Sequence, residues 1–306
     1  MSWQASGAYT LLANATYNVQ IRDAAHPLCV IILNNALTIT QPAVLSATVA
    51  STNVTCNGAN DGTITITNPM GGYGTFEYSI NGGMSWQASG AYTLLANATY
   101  NVQIRDAAHP LCVIVLNAAL VITQPTTVVI SSATVTSNYN GAHISCAVGQ
   151  GTSNDGQITV VATGGTAPIT YSNDGGATYQ ASGVFSGLTA GTYSIVVKDG
   201  NNCTASASVN VVAPPAIIAG TCTNAQDNCQ VSAGEIKVEA SGGTGTLNVT
   251  WTATLIPPFS GPATGTPPGT PQPIPASPLN FIIYSGLSGN TTYNFVVTDA
   301  NGCKVP

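Results

Sequence analysis

Apolar and polar residues alternate along short runs punctuated by Gly, Asn and Pro. VLSATV at 44–49, TITIT at 63–67, TFEYSI at 75–80, YNVQIR at 100–105 and CVIVL at 112–116 have the period of two, or the continuous apolar character, of strands. The helical period is absent. INGGMSW at 80–86 and SNDGGATY at 172–179 supply the Asn/Asp-Gly chemistry of turns that need positive φ, so each predicts an antiparallel hairpin. The pattern predicts an all-β chain.

That pattern repeats. Residues 1–42 recur at 84–125 with three changes, Ile32/Val115, Asn35/Ala118 and Thr38/Val121. TYSIVVKDGNNC at 192–203 and TYNFVVTDANGC at 292–303 hold the frame of TYNVQIRDAAHPLC at 99–112, while CNGANDGTITI at 56–66 corresponds to CAVGQGTSNDGQITV at 146–160 and more loosely to CQVSAGEIKV at 229–238. A repeat of this length is one small domain, a bead, and not a turn of a stacked solenoid. The expected organisation is the C-terminal half of a bead at 1–42, complete beads at 43–125 and 126–214, and at 215–306 a bead without its last strand. Both ends fall inside beads, so a longer polypeptide is expected on each side.

The segments LLANATY at 94–100, GLTAGTY at 187–193 and GLSGNTTY at 286–293 set a Leu ahead of a Tyr that opens a strand. This is the pattern of a tyrosine corner, a feature of two-sheet sandwiches, and makes Tyr17, Tyr100, Tyr193 and Tyr293 expected core residues. The fold class is therefore tandem immunoglobulin-like β-sandwiches. Short Pro-containing joints, ITQP and VAPP, predict a semi-rigid rod. The Pro-rich insertion 256–278 is expected to form an exposed loop, since proline cannot join a central sheet.

Cysteine placement adds covalent structure. Pairing within beads would give Cys56–Cys112, Cys146–Cys203 and Cys229–Cys303, each stabilising its bead by roughly 4 kcal/mol in the chain-entropy model. Cys29, the counterpart of Cys112, would find its partner upstream of the chain, and Cys222 is left unassigned, with Cys303 or Cys229 as its alternatives. No CxxC pairs occur and His26, His109 and His143 lack metal-ligand spacing, which disfavours zinc. Disulfides imply an oxidising, extracytoplasmic location.

Charge narrows the partners. Five basic and eleven acidic side chains among 306 residues cannot build a basic patch, which argues against nucleic acid as a partner. No apolar run reaches membrane-spanning length. Few charges also leave sheet edges open to lateral association with other copies, beside the expected contact between neighbouring repeats. Asp61, Asp106, Asp155 and Asp199, with Asp23 and Asp299, could offer oxygen ligands to Ca²⁺, although Asp-Gly turns explain them without a metal. Trp86 and Tyr92, with Trp3, could form an aromatic platform for a glycan or cover the sandwich. No nucleophile–base pair or carboxylate pair suggests an enzyme.

CNGANDGTITI, the GG turn, YSINGGMSWQASGAY, the L-x-x-x-TY segment and the D-x-x-x-C end together resemble the SprB-type repeat of very large Bacteroidetes surface proteins, most closely at 153–203. The resemblance implies a gliding-motility adhesin or related extracellular fibre, exported by the type IX route, and names no catalytic residues. The expected role is a structural or adhesive stalk. A carbohydrate-binding repeat and a spacer of a larger secreted enzyme are the alternatives.

Overall fold

The computed structural model describes residues 3–220, 222–225, 234–255, 272–274, 281–287 and 291–306. The described chain forms strands without helices and divides into two compact units, Met1–Gln124 and Pro125–Pro306.

In the first unit, β1 (Ala15–Arg22) and β2 (Val30–Ile39) make an antiparallel hairpin. The complete bead after it has one sheet of β3 (Ser46–Thr52), β4 (Gly62–Met70) and β6 (Ala91–Leu95). Its other sheet contains β5 (Phe76–Ser79), β7 (Ala98–Asp106) and β8 (Val113–Ile122). The alternation read from sequence sorts the faces: Ile64 and Ile66 of β4 meet Val102 and Ile104 of β7, with Leu45, Val54, Tyr78 and Ile122 completing the core. Between β5 and β6 the NGG turn closes on the Tyr78–Gln87 bridge, with positive φ at Gly82 and Gly83. The chain then crosses to the opposite sheet.

The second unit begins with the same plan. β9 (Val129–Val135), β10 (Gly156–Thr163) and β12 (Val184–Leu188) face β11 (Thr170–Ser172), β13 (Gly191–Lys198) and β14 (Thr204–Val211). Their core is built on Ile144, Ile158, Val160, Phe185, Ile195 and Val197. The following bead has β15 (Ile218–Ala219), β16 (Thr223–Ala225), β17 (Gly234–Ser241) and β20 (Phe281–Leu287) in one sheet. Its second sheet holds β18 (Asn248–Leu255), β19 (Gln272–Pro273), β21 (Thr291–Thr298) and β22 (Lys304–Val305).

The Pro-rich insertion is not simply an exposed loop. Gln272–Pro273 pairs with Asn248–Val249 at the sheet edge, where a proline costs no ladder bond, and Ile274 is buried in the core beside Val249. The remainder of the insertion lies outside the described residues.

Antiparallel pairing gives every bead two distinct ends. At the leading end, Gly72 N–H donates to Ala43 O and Gly165 N–H to Thr126 O, placing the turns after β4 and β10 beside the start of the bead. At the trailing end, Val54 N–H donates to Thr123 O and His143 N–H to Val212 O, so the loops before β4 and β10 sit where the bead finishes. A strand of eight or nine residues, roughly 25–30 Å, separates the two ends.

Gly90 and Gly183 occupy matching crossings. Ile66 N–H donates to Gly90 O, and a Cβ on Gly90 would stand 2.2 Å from Ile66 O; one on Gly183 would meet Val160 O at the same distance. Gly7, the counterpart of Gly90, has nothing within 4 Å. Gly90→Ala is therefore expected to destabilise its bead by about 1–3 kcal/mol, seen as a lower denaturation midpoint, whereas Gly7→Ala leaves the midpoint unchanged.

Candidate functional site

The strand-end aspartates are turn-builders. Asp199 is buried after β13, where Oδ2 accepts from Thr166 N–H (2.9 Å) and Oδ1 from Asn201 N–H (2.9 Å) and Cys203 N–H (2.8 Å). Asp299 repeats the arrangement with Thr244, Asn301 and Cys303. Asp106, also buried, accepts from Tyr73 N–H on Oδ2 (2.5 Å) and from Ala108 and His109 N–H on Oδ1. Each carboxylate thus ties the turn after one sheet's strand to the turn after a strand of the other sheet.

At the trailing end, Thr55 donates to Asp61 through both N–H (2.9 Å) and hydroxyl, and Ser145 N–H donates to Asp155 (3.0 Å). Hydrogen bonds from Thr55 hold the Asp61 carboxyl below its usual range, and the bond from Tyr73 N–H does the same for Asp106. Asp23, on the hairpin, instead meets His26 Nδ1 at 3.0 Å and Ala25 N–H. Among the described residues no group of three or more His, Cys, Asp or Glu side chains is placed to hold a metal ion. Asp61, Asp106, Asp155 and Asp199, the carboxylates named as candidate Ca²⁺ ligands, all accept backbone N–H groups, and Asp61 also accepts the Thr55 hydroxyl.

The aromatic residues are also engaged. Arg105 stands 4.5 Å over the Trp86 ring while pairing with Glu77 at 2.6 Å, and Gly83, whose carbonyl accepts from Trp86 Nε1–H, lies against the indole. Arg22 over Trp3 (4.4 Å) and Lys198 over Tyr179 (4.1 Å) repeat the stack. With Lys237 over Phe281, four of the chain's five basic side chains cover an aromatic face. Tyr92 packs against the core, where Phe185 stands in the next bead, and donates to Tyr78 O at 2.7 Å. Trp86 and Tyr92 are each half-buried and engaged by groups of their own bead.

Tyr17, Tyr100 and Tyr193 donate to the carbonyls of Ala13, Ala96 and Thr189, each four residues earlier, at 2.8–3.0 Å. Their rings are half-buried at the rim and not fully in the core, as is Tyr293, whose ring lies 5.3 Å from that of Trp251.

The cysteines correct the sequence expectation. Cys112 carries an exposed free thiol, as do Cys29 and Cys222, so the Cys56–Cys112 pairing does not form, although Cys56 is disulfide-bonded. Cys146 bonds Cys303, with 5.4 Å between their Cα atoms, which replaces both Cys146–Cys203 and Cys229–Cys303; Cys203 is itself disulfide-bonded, and Cys229 lies outside the described residues. The reason is strand direction. Within one bead the first cysteine sits in the trailing loop and the second in the leading turn, a strand-length apart, whereas Cα atoms of a disulfide lie within about 7 Å.

The trailing loop of one bead instead reaches the leading turn of the next. Cys146 is buried within the core of the final bead beside Ile217, Val297 and Cys303. Gln150 behaves as an extra peptide group: its Nε2–H donates to Ile217 O (2.6 Å) and its Oε1 accepts from Ile217 N–H (2.7 Å). Lys304 N–H donates to Gln150 O (2.6 Å), and Asn301 Nδ2–H donates to Ser145 O (3.1 Å) while its Oδ1 accepts from Asn140 (2.7 Å). Gln150 and Asn301 escaped the sequence reading. The available signal was loop length, since nine positions separate Cys146 from Asp155 and only five separate Cys56 from Asp61.

pH should expose these bonds. The depressed carboxyls of Asp61 and Asp106 contribute stability that is present above the ordinary carboxylate pKa of about 4 and is lost as pH falls through their folded values. Burial pushes the Tyr92 phenol up to about 12, so its contribution is complete below about 10, the ordinary phenol value, and is lost as pH rises toward 12. Denaturation midpoints should fall at both extremes, and Tyr92→Phe should weaken the alkaline fall while leaving the acid fall unchanged.

The SprB repeat family matches residues 48–85 and 151–178, one stretch in each complete bead. Among solved structures, a three-immunoglobulin-domain segment of titin is similar at 12% identity, over 87% of this chain and 98% of that one, with a TM-score of 0.38. Sidekick-1 immunoglobulin domains 1–5 match at 11% identity over 88% of this chain and 58% of that one, TM-score 0.30. A C-terminal fragment of intimin, solved with the intimin-binding domain of its translocated receptor, matches at 16% identity over 58% and 67%, TM-score 0.32. No match is found among curated proteins. The repeated turns and the two matched stretches together mark 48–85 and 151–178 as SprB-type repeat segments within the chain.

Proposed function

We propose that the chain is a non-enzymatic stalk segment of an extracellular bacterial surface fibre, used in attachment or gliding. The observation that carries this reading is the use of side-chain chemistry for construction: aspartates build turns, cations cover aromatic rings, and a disulfide joins one SprB-type bead to the next. Disulfides support an oxidising compartment for the segment. Among the described residues no helix is long and apolar enough to cross a membrane. Export by the type IX route and lateral association with other copies belong to the same reading.

Antibody raised against residues 43–214 should label filaments outside intact cells of the source bacterium in electron microscopy. Label confined to the periplasm, or seen only after lysis, would overturn the surface assignment.

A further inference from the structure

A chain under tension is loaded along its shortest covalent path. In the second unit that path is set by one bond, because Cys146 and Cys303 are 157 residues apart in sequence and directly joined in space. Cys303 is followed by β22, while before Cys146 stand β9 and the first part of the trailing loop. Both sulfurs are buried, with Cys146 and Cys303 only 2% and 1% exposed. Gln150, Asn301 and Lys304 fasten the two beads on either side of the bond.

We infer that the Cys146–Cys303 disulfide is a load-bearing bypass that carries tension from the trailing loop of one bead into the leading turn of the next. Force entering at β9 reaches Cys146, crosses to Cys303 and leaves through β22. For load entering at β9, the strands β10 to β14, the joint VAPP at 212–215, and β15 to β21 lie on the closed branch between the two sulfurs; Cys203, on that branch after β13, is itself disulfide-bonded, so load arriving through Cys203 enters the branch there. The peptide joint between these beads is therefore mechanically redundant for load entering at β9 while the disulfide is intact. Asp299 acts as the positioning residue, because its Oδ1 holds Cys303 N–H at 2.9 Å in the turn that faces Cys146. The inference takes only the source of tension from the stalk reading; the load path belongs to the purified chain.

The test is single-molecule stretching of the full chain between peptide-tag handles, one inserted at Thr126 and one after Pro306. With the disulfide intact, unfolding should release no more than about 80 Å between the handles. The Cys303→Ser variant should release on the order of 500 Å more, from 157 residues at roughly 3.3–3.6 Å each. Should that variant fail to fold, the unmodified chain is held at constant force in a dithiol reductant. The reagent gives two electrons and two protons to the sulfur–sulfur bond, closing into its own disulfide and leaving Cys146 and Cys303 as thiols. The held chain should then lengthen by a comparable discrete step. Equal lengths for oxidised, reduced and Cys303→Ser chains would overturn the bypass, whatever the microscopy of intact cells shows.

Discussion

A buried carboxylate joins the two sheets of each bead at its leading end, and much of the architecture follows from that constraint. An ionised oxygen pair out of contact with water needs several donors. In Asp199 and Asp299 they come from two sources: a backbone N–H of the turn belonging to the opposite sheet, and the N–H groups of the turn that the aspartate itself begins. One side chain thereby fixes the spacing of the sheets, the shape of the turn and the position of the cysteine four residues on. The Cys303 amide is one of the donors, so the group that closes the sandwich also presents the sulfur to the preceding bead.

Strand alternation made the sandwich legible. Ile64, Ile66, Val102 and Ile104 fall on the inner faces that a period of two assigns to them, and the glycines of the NGG turn have positive φ. The Leu-to-Tyr spacing found the hydroxyl bonds of Tyr17, Tyr100 and Tyr193, though alternation could not show that their rings stop at the rim. The cysteine pairing was misread because an alignment gives position along a repeat and not the end of the sandwich on which that position falls. Direction was recoverable: β8 returns antiparallel to β7, and its last residue, Ile122, lies beside Gly62 at the start of β4. The start of β4 and the end of β7 are consequently at opposite ends, and so are Cys56 and Cys112.

Residues 1–42 and 84–125 show what near-identical sequence leaves undetermined. Ile21 is 54% exposed, while its counterpart Ile104 is 0%. Nothing local distinguishes them; β7 is faced by the β3–β4–β6 sheet, and the β1–β2 hairpin has no such cover among the described residues. The hydrophobic pattern states which face can be buried, and a second sheet supplies the burial. Trp86 gives the converse case. A ring beside a turn reads equally as a ligand platform or as cover, and nothing in the sequence signals that Arg105 from β7, nineteen positions along the chain, stacks on it.

The joint in the second unit changes what modularity means for these beads. A repeat protein whose beads fold alone gains length by duplication without altering its neighbours, and the near-identity of 1–42 and 84–125 fits such growth. Yet the final bead draws Cys146 from its predecessor into its own core and accepts Gln150 as a surrogate peptide against Ile217. Removing the preceding loop would leave the Ile217 amide and carbonyl without those partners and open a gap where a buried sulfur had been, so the stability of one bead depends on the sequence of the one before it. The unit of duplication and the unit of stability are therefore offset: the first runs from joint to joint, whereas the second runs from one trailing loop to the next leading turn.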